Sequence, residues 1–489
     1  MKRIFVLFGF FIALTSVFTV TSCSKEKEEL VEEQPKDPKE EEREKNLAAN
    51  RFYMKKYYEE YFPYYFWYDD VVQRVSTYSY DSYSTITEYF YATLFKEDRW
   101  SWMMTAEEYL SSESGEQTGS LGISLGQAIE YYNDYSIRVR YIYPGSPFEE
   151  HGVTRGWTLT HLDSIPVMDY VASGKFSKAM YKENQLFTFN DLKGTPHTFN
   201  ASPVASLSTR SSLKAMVIEP GDYPGLTEPV GYFLYLSFKA GFLDDIDNAF
   251  ALFKEADVKK VILDLRYNGG GDSRAEELLV SYLAPDSADH KVYKRIIHNK
   301  ALSTYNSYDT IHRRPNSLDL DELYVIGGSG TASASEVTIN GLKPYLDLYL
   351  VGDTTYGKPN GMYVLFYPGT DEDYIRYNAG DFSKLKLVYL PIAFFSKNCL
   401  DESIPYKGFI PDNYRPDDLR HDFGVEEDNI KACLEKIVNG NFPEIPGQSL
   451  FGAQTRGSST ESKLIIPDDI ITSPLYGNTL KPMPKELRK

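Results

Sequence analysis

Cysteine and histidine are scarce in this chain of 489 residues, and acidic side chains outnumber basic ones. Three cysteines are too few for a disulfide framework or a cysteine-rich zinc site. The seven histidines form neither an HExxH motif nor a close pair, which argues against a histidine-rich metal site. The formal net charge of −18 argues against a nucleic-acid partner, because phosphate neutralisation requires a basic face. The sequence therefore implies no metal, no organic cofactor and no nucleic acid.

Long apolar runs are also rare, since only residues 4–20 form one, and a polytopic membrane protein is excluded. Lys2 and Arg3 precede this run, as in a secretory signal peptide. Val-Thr-Ser then leads into Cys23, which resembles the lipobox of bacterial lipoproteins. The resemblance implies that residues 1–22 are removed and that a lipid on Cys23 anchors the protein in the bacterial cell envelope, on its periplasmic or outer-surface face. The alternative is an ordinary signal peptide with an incidental cysteine.

The segment after Cys23 is highly charged and has no aromatic residue. This composition predicts that residues 23–45 form a solvated tether between a membrane anchor and a soluble body. Export also places Cys399 and Cys433 in an oxidising compartment, where they could form a disulfide or remain two buried thiols.

Residues 46–116 are unusually aromatic, with most of the aromatic side chains concentrated in residues 52–68. These aromatics recur at helical offsets, so the pattern favours a packed helical core or docking face over a stacking platform for a ligand. Pro63 is expected to end or kink the first helix. A second helix is predicted near residues 86–95, with Ser84 or Thr85 as its N-cap.

Residues 117–205 have the pattern of short strands and turns, and they resemble a PDZ domain. The resemblance rests on Leu121-Gly122-Ile123 and on the later run of residues 144–157. It implies that the backbone of Leu121, Gly122 and Ile123 receives the terminal carboxylate of a peptide, and that an open strand edge pairs with the peptide. The alternative is an ordinary small β domain that binds nothing.

Residues 206–440 alternate strands and helices, which predicts an α/β fold. A buried-type strand at residues 261–265 leads into Arg266-Tyr267-Asn268 and three glycines. A second strand leads into Thr331-Ala332-Ser333-Ala334-Ser335-Glu336 and a helix, and a third leads to Lys358. Free N–H groups at a glycine loop and at a helix start both favour a developing anion.

These three loops in this order, after a PDZ-like stretch, resemble the C-terminal processing peptidases (tail-specific proteases), a serine peptidase family. The resemblance implies a crotonase/ClpP-like α/β catalytic domain with an inserted-style PDZ-like β domain and an N-terminal helical region. It makes Ser333 the nucleophile, Lys358 the general base, and the amides of Gly270 and Ala334 the oxyanion hole. The expected function is an exported serine endopeptidase that cleaves proteins presented by their C-terminal end. Residues 441–489 are expected to be an extension without chemistry.

A lysine can accept the proton of a serine hydroxyl only when the lysine is neutral, so Lys358 is expected to be buried with a lowered pKa. Ser335 offers the same hydroxyl chemistry as Ser333, although the spacing to Lys358 favours Ser333. Glu336 is expected to bond backbone groups near the helix start. Asp264 and Arg266 are expected to form an internal ion pair that braces the loop.

One departure from the family pattern concerns the orientation of the base. Met362 stands where a glutamine usually orients the lysine, and a methionine cannot donate a proton. Asn360 could replace the glutamine, or the dyad acts unaided, or activity is reduced. Two alternatives therefore remain: a catalytically weak or inactive peptide-binding lipoprotein, and an acyl-CoA hydratase-like enzyme with a related glycine-loop site. The sequence does not define the oligomeric state.

Overall fold

The first helix begins inside the predicted tether. A computed structural model of the chain describes residues 38–128, 134–444 and 480–482, so Cys23 and the predicted signal peptide lie outside the described residues. Helix α1 (Pro38–Lys56) contains exposed residues 38–45, which are therefore helical rather than extended. The physical reason is that Glu, Lys and Arg are good helix formers, and Lys45 and Glu41 form an ion pair one turn apart at 2.9 Å. In the described part of the chain, no helix is long and apolar enough to cross a membrane.

The aromatic residues after α1 form the centre of a hydrophobic core. The elements that follow are α2 (Tyr68–Val75), α3 (Ile86–Thr93), β1 (Trp102–Thr105) and α4 (Ala106–Ser114). The regular helix ends before Pro63, which lies in a short 3₁₀ turn, as predicted. The Thr85 hydroxyl accepts a hydrogen bond from the Glu88 N–H at 3.2 Å, which confirms Thr85 as an N-cap. Tyr57, Phe62 and Tyr65 are fully buried, so this segment is a packed core.

The next region is a small β domain whose first long strand lies at a sheet edge. Its elements are β2 (Glu116–Gln117), β3 (Ile123–Ala128), β4 (Asp134–Ile142), β5 (Thr158–Leu162), β6 (Ile165–Pro166), α5 (Val167–Ala172), α6 (Phe176–Met180), β7 (Gln185–Asn190), β8 (Pro196–Ala201) and β9 (Leu207–Ser208). The strand order β3-β4-β5-β7-β8 leaves one side of β3 unpaired among the described residues. Such an edge is what an extended peptide pairs with.

The largest region contains two sheets. Its elements are β10 (Ser212–Ile218), β11 (Val230–Tyr235), α7 (Leu243–Glu255), β12 (Lys260–Asp264), α8 (Ser273–Leu283), β13 (Val292–Ile297), β14 (Ser307–Thr310), β15 (Glu322–Gly327), α9 (Ala334–Leu342), β16 (Asp347–Gly352), β17 (Asn360–Pro368), α10 (Asp371–Asn378), β18 (Leu385–Leu390), β19 (Ile392–Lys397), β20 (Asn413–Tyr414) and α11 (Asp428–Asn439). A last short strand is β21 (Leu480–Pro482).

The first sheet has the order β10-β11-β12-β15-β16-β20, and all its neighbours except β10 and β11 are parallel. Its strands are buried on both faces. Phe233 and Tyr235 of β11 belong to a core with α7, α8 and α9, whereas Tyr232 and Leu234 face a second core with α11. This double coverage explains the continuous apolar runs in the sequence. The carboxyl ends of the parallel strands therefore lie at one edge of a rigid sheet.

The second sheet joins the aromatic N-terminal region to the α/β region. Its order is β1-β18-β17-β19-β13-β14, and β21 pairs with β17. The buried aromatics of residues 52–68 pack on β17, β18 and β19 in one continuous core. The aromatic N-terminal region and the α/β region therefore share one sheet and one core. Cys399 and Cys433 are free thiols, so the disulfide that the sequence left open is not formed.

Candidate active site

The three loops singled out in the sequence follow three neighbouring parallel strands. The glycine loop follows β12, the turn with Ser333 follows β15, and the segment that leads to Lys358 follows β16. Carboxyl ends of adjacent parallel strands meet at one edge of a sheet, which is where open α/β folds place their sites. Tertiary contacts then hold the loops against one another.

Ser333 occupies a strained turn between β15 and α9. Its φ of 57° and ψ of −115° lie outside the regions that residues with a side chain commonly adopt. Such strain costs about 1–3 kcal/mol and clusters at functional sites. A serine on a sharp strand-to-helix turn is also the arrangement of nucleophile elbows. Ser333 is fully buried, so a substrate reaches its hydroxyl only after neighbouring groups move.

The hydroxyl of Ser335 has a structural partner. It donates to the backbone carbonyl of Asn268 at 2.9 Å and so ties α9 to the glycine loop. The Ala332 N–H donates to the same carbonyl at 3.2 Å. The Ser335 hydroxyl is therefore part of this brace, whereas Ser333 lies on the strained turn directly against Gly270, and this position favours Ser333 as the reacting hydroxyl.

Glu336 links the turn of Ser333 to the segment of Lys358. One carboxylate oxygen accepts from the Ser333 N–H at 3.1 Å and from the Lys358 N–H at 2.8 Å. Those two backbone nitrogens are therefore no more than about 6 Å apart. The other oxygen accepts from the Thr355 hydroxyl at 2.6 Å and from the Gly357 N–H at 2.7 Å. The prediction that Glu336 bonds backbone groups near the helix start is confirmed, and its reach extends across both loops.

The Lys358 ammonium is buried in an environment that favours its neutral form. Burial lowers its pKa to about 7, while the negative charges of Asp98 and Glu336 act in the opposite direction. Its Nζ lies 3.8 Å from the Met362 Sδ. The side-chain amide of Asn360 is buried and makes no hydrogen bond within the described residues, so Asn360 does not orient Lys358. The thioether of Met362 therefore occupies the place beside the amine.

Gly270 lies directly against Ser333. A Cβ on Gly270 would lie 2.8 Å from the Ser333 Cβ and 2.9 Å from the Ala334 N, and its φ is +105°. Ala334 is the first residue of α9, and its N–H has no acceptor in the part of the chain that the structure describes. The Gly270 N–H, however, donates to the Asn268 Oδ1 at 2.9 Å. The two predicted oxyanion donors are adjacent, but only Ala334 has an N–H without a partner.

A buried ionic cluster braces the glycine loop from behind. Arg266 pairs with Asp264 at 2.8 Å, which confirms the predicted ion pair, and Arg155 pairs with Asp417 at 2.6 Å. Arg155 also donates to the Tyr267 hydroxyl at 2.6 Å, so the small β domain contacts the loop directly. Burial alone would raise the pKa of Asp417, but Arg155 and Arg266 hold it well below its ordinary value.

The predicted carboxylate-binding loop is partly occupied by its own domain. The Gly122 N–H donates to the Ser120 hydroxyl at 3.1 Å, and the Leu121 carbonyl accepts from the Ser146 hydroxyl at 2.7 Å. Ile123 begins β3 and pairs with Ile142. The side chain of Leu207 lies against Gly122, since a Cβ there would be 2.5 Å from the Leu207 Cδ2. A peptide carboxylate would have to displace these contacts to reach the Gly122 N–H.

One group of side chains among the described residues has the spacing of a cation site, namely Asp418, His421 and Asp428. Asp418 already accepts from the Arg420 N–H at 2.9 Å, from the Asp428 N–H at 3.1 Å and pairs with the His421 Nδ1 at 2.6 Å. These hydrogen bonds account for the closeness of the three residues without an ion.

Sequence reasoning missed two contributors to the site. Asp98 acts on Lys358 from the aromatic N-terminal region, and nothing in its local sequence marks it. Asn268 holds the Gly270 N–H and donates to the Tyr235 carbonyl at 2.8 Å. Asn268 lies in the glycine-loop segment on which the resemblance to the C-terminal processing peptidases is based, and this position is the sequence feature that could have indicated its role.

Comparison with known proteins agrees with this geometry. The family described as Peptidase family S41 matches residues 229–385, which include Gly270, Ser333 and Lys358. The chain is 26% identical over 269 residues to carboxyl-terminal-processing peptidase 3, chloroplastic, of Arabidopsis thaliana, which covers 53% of this chain and 50% of that protein. It is 25% identical over 227 residues to the chloroplastic C-terminal processing peptidase of Tetradesmus obliquus, covering 44% and 46%. The chain thus spans about half the length of the curated relatives it matches.

A crystal structure described as an S41 protease from Bacteroides fragilis NCTC 9343 shares the fold. It superposes with a TM-score of 0.60 and 22% identity, covering 80% of this chain and 97% of that one. The expected mixed α/β fold with a helical N-terminal region is confirmed. Residues 229–385 of this chain therefore form a domain that matches Peptidase family S41.

Proposed function

We propose that this protein is an exported serine endopeptidase in which Ser333 is the nucleophile and Lys358 the general base. The observation that carries the proposal is a buried lysine with a pKa of about 7, joined through Glu336 to the backbone of a strained serine. A pKa near the operating pH suits a general base, because a large fraction is neutral and still basic enough to accept a proton.

The reaction follows from these positions. The Ser333 Oγ attacks the carbonyl carbon of the scissile peptide bond while the Lys358 amine takes the hydroxyl proton. The negative oxygen that develops accepts a hydrogen bond from the Ala334 N–H and, once Asn268 releases it, from the Gly270 N–H. The Lys358 ammonium returns the proton to the leaving amine as the C–N bond breaks. A water molecule, deprotonated by Lys358, then attacks the acyl carbon, and the Lys358 ammonium returns the proton to the Ser333 Oγ as the acyl–oxygen bond breaks.

We propose further that the small β domain acts as a PDZ-like module that presents the C-terminal end of a protein substrate. The edge of β3 that has no partner strand among the described residues supports this role. A terminal carboxylate at Leu121, Gly122 and Ile123 would replace the Ser120 hydroxyl as the acceptor of the Gly122 N–H. The contact between Arg155 and Tyr267 gives this domain a direct path to the glycine loop. No cofactor is required by this chemistry.

We propose a lipid anchor on Cys23 that holds the protein at the bacterial cell envelope. The lipobox-like sequence supports it. A Cys23→Ser variant is expected to move from the membrane fraction to the soluble fraction of cells, and an unchanged distribution would contradict the anchor.

The alternative function is a peptide-binding lipoprotein of weak or no activity. The buried Ser333, the engaged Gly270 N–H and the thioether beside Lys358 favour it. The acyl-CoA hydratase-like alternative receives no support from the match to Peptidase family S41.

The test is hydrolysis of an unstructured protein by the wild type, Ser333→Ala and the matched control Ser335→Ala. We expect Ser333→Ala to lose at least about 10³-fold in kcat, as removal of a nucleophile does, and Ser335→Ala to retain cleavage. Equal hydrolysis by the wild type and Ser333→Ala would refute the dyad. Absence of hydrolysis in both, with peptide binding retained, would favour the binding protein.

A further inference from the structure

Arg99 is held in a fixed position beside the segment that carries Lys358. It lies in the loop between α3 and β1 and is exposed. Its guanidinium lies 4.9 Å from the centre of the Trp100 ring and 5.2 Å from that of Tyr356. Its Nη2 donates to the carbonyls of Tyr406 at 3.0 Å and Gly357 at 3.4 Å. A cation held by two rings and two carbonyls has already lost most of its conformational freedom.

The charge of Arg99 is not neutralised by the residues around it. Among the described residues, no carboxylate lies within ion-pair distance of its guanidinium. The adjacent Asp98 carboxylate is turned inward, where it accepts from the Trp100 N–H at 2.9 Å and from the Tyr65 hydroxyl at 2.8 Å. Glu97 pairs instead with Lys96 at 3.6 Å. Arg99 therefore presents an uncompensated positive charge on a protein whose net charge is −18.

The Arg99 guanidinium lies close to the segment that carries Lys358. Gly357, whose carbonyl accepts from Arg99, immediately precedes Lys358, and its N–H donates to Glu336. Tyr356, whose ring lies beside Arg99, is 41% exposed. A guanidinium with free donor positions, next to an accessible aromatic ring, is a site for a carboxylate attached to a partly apolar chain.

We propose that Arg99, with the Tyr356 ring at its side, binds a carboxylate of the substrate polypeptide close to the scissile bond and gives the enzyme a preference for substrates that carry a carboxylate at this position. This inference rests on the proposed peptidase function and adds a substrate class to it. The carboxylate belongs to an Asp or Glu side chain or to the substrate's own terminus, and the two sources are separable by experiment. A charge-assisted contact of this kind corresponds to a preference of about 10-fold.

The experiment measures peptide binding in the Ser333→Ala background, so that no hydrolysis is needed. Fluorescent peptides are compared in two matched arms: Asp and Glu against Asn and Gln within the chain, and a free terminal carboxylate against a terminal amide. We expect about 10-fold tighter binding of the acidic member in one arm, which identifies the source. Addition of Arg99→Gln should remove that preference and leave the affinity for the neutral member unchanged.

Two further variants separate recognition from a structural role. Arg376→Gln changes another exposed arginine, which pairs with Glu372 on α10, and it should keep the full preference. Arg99→Lys keeps the positive charge but lacks the planar guanidinium, and it should keep part of the preference for the acidic peptide. This variant provides a second readout if Arg99→Gln is poorly folded. Equal weakening of acidic and neutral peptides by Arg99→Gln, or no acidic preference in the Ser333→Ala background, would overturn the proposal.

Failure of this inference is distinguishable from failure of the proposed function. If wild-type protein hydrolyses acidic and neutral substrates with equal kcat/KM and Ser333→Ala hydrolyses neither, the peptidase function is supported and the Arg99 site is refuted. If no substrate is hydrolysed but Arg99→Gln still removes the preference for binding acidic peptides, the Arg99 site is supported and the peptidase function is refuted. In an active enzyme, Arg99→Gln should raise KM for acidic substrates with little change in kcat.

Discussion

Asp98 opposes the effect of burial on Lys358: burial lowers the pKa of the lysine to about 7, and the negative charge of Asp98 acts to raise it. The carboxylate is fixed for this effect, because the Ser101 N–H donates to it at 2.9 Å and the Tyr65 hydroxyl at 2.8 Å. The aromatic N-terminal region therefore covers the second sheet and also moderates the lowering of the Lys358 pKa that burial causes.

The proposed base predicts a specific pH profile for the wild type. Because the amine is active only when neutral, kcat/KM should rise as the pH increases through about 7 and level off above it. The measurement is kcat/KM for one peptide substrate between about pH 5 and 9, an interval that brackets the amine's titration. A rate that does not change over this interval would contradict an amine base.

Replacement of Asp98 tests the electrostatic coupling. In Asp98→Asn a negative charge that stabilises the ammonium is lost, so the rising limb of the profile should move to lower pH, by up to about 1 unit. Tyr65→Phe is the matched control, since it removes a hydrogen bond to Asp98 but keeps the charge, and its profile should stay close to that of the wild type. An unshifted profile in Asp98→Asn would show that Asp98 does not act on the base.

Replacement of Met362 tests the orientation of Lys358. Met362 is fully buried, and Met362→Gln places an amide of similar length beside the Nζ. One added hydrogen bond contributes about 0.5–1.5 kcal/mol, so kcat is expected to rise about 2- to 10-fold. Met362→Leu keeps the apolar volume without the hydrogen bond and should leave kcat within that margin of the wild type. A fall in kcat specific to Met362→Gln would mean that the thioether serves the base better than an amide.

Replacement of Gly270 tests the proposed oxyanion site. Gly270→Ala adds a methyl group 2.8 Å from the Ser333 Cβ at a φ of +105°, so the loop must shift away from Ser333. We expect kcat to fall by at least about 10²-fold, the typical effect of losing one oxyanion donor. Gly221→Ala, whose added methyl group meets no atom within 4 Å, is the control. Near-normal turnover in Gly270→Ala would place the oxyanion site elsewhere.

Replacement of Glu336 tests the link between the two loops. In Glu336→Gln the amide nitrogen faces either the N–H groups of Ser333 and Lys358 or the N–H of Gly357, and each buried donor left without an acceptor costs about 1–3 kcal/mol. The free energy of unfolding should fall by about 2 kcal/mol or more, and activity should be lost because Ser333 and Lys358 are no longer tied together. Chemical denaturation and hydrolysis are measured alongside Glu255→Gln, an exposed glutamate on α7. Unchanged stability would show that Glu336 does not carry this link.

The sequence was most informative where a short run of residues specifies local backbone. A strand followed by glycines, a strand followed by hydroxyl residues and a helix, and Thr85 as an N-cap are all local patterns, and the structure contains them. The prediction that Lys358 is buried with a lowered pKa is also confirmed. That prediction was possible because a neutral amine must be desolvated, and because parallel strands bring their carboxyl ends to one edge of the sheet. Ser335 could be set apart from Ser333 only after the partner of its hydroxyl was known.

Other features depend on contacts between residues far apart in the chain. The pairing of β1 with β18, the packing of the aromatic segment on β17 and the effect of Asp98 on Lys358 bring together residues separated by hundreds of positions. The engagement of the Gly270 N–H by Asn268 depends on side-chain geometry that a glycine motif does not specify.

The sequence by itself determined the local strands and turns that carry Gly270 and Ser333, because hydrogen-bonding propensity and apolar periodicity act over a few residues. Only the tertiary structure decided that the Lys358 amine is desolvated, that Asn268 engages the Gly270 N–H and that Arg99 lies beside the segment of Lys358. Desolvation and Coulomb interactions depend on distances through space, and the fold sets those distances by burying side chains from separate regions against one another.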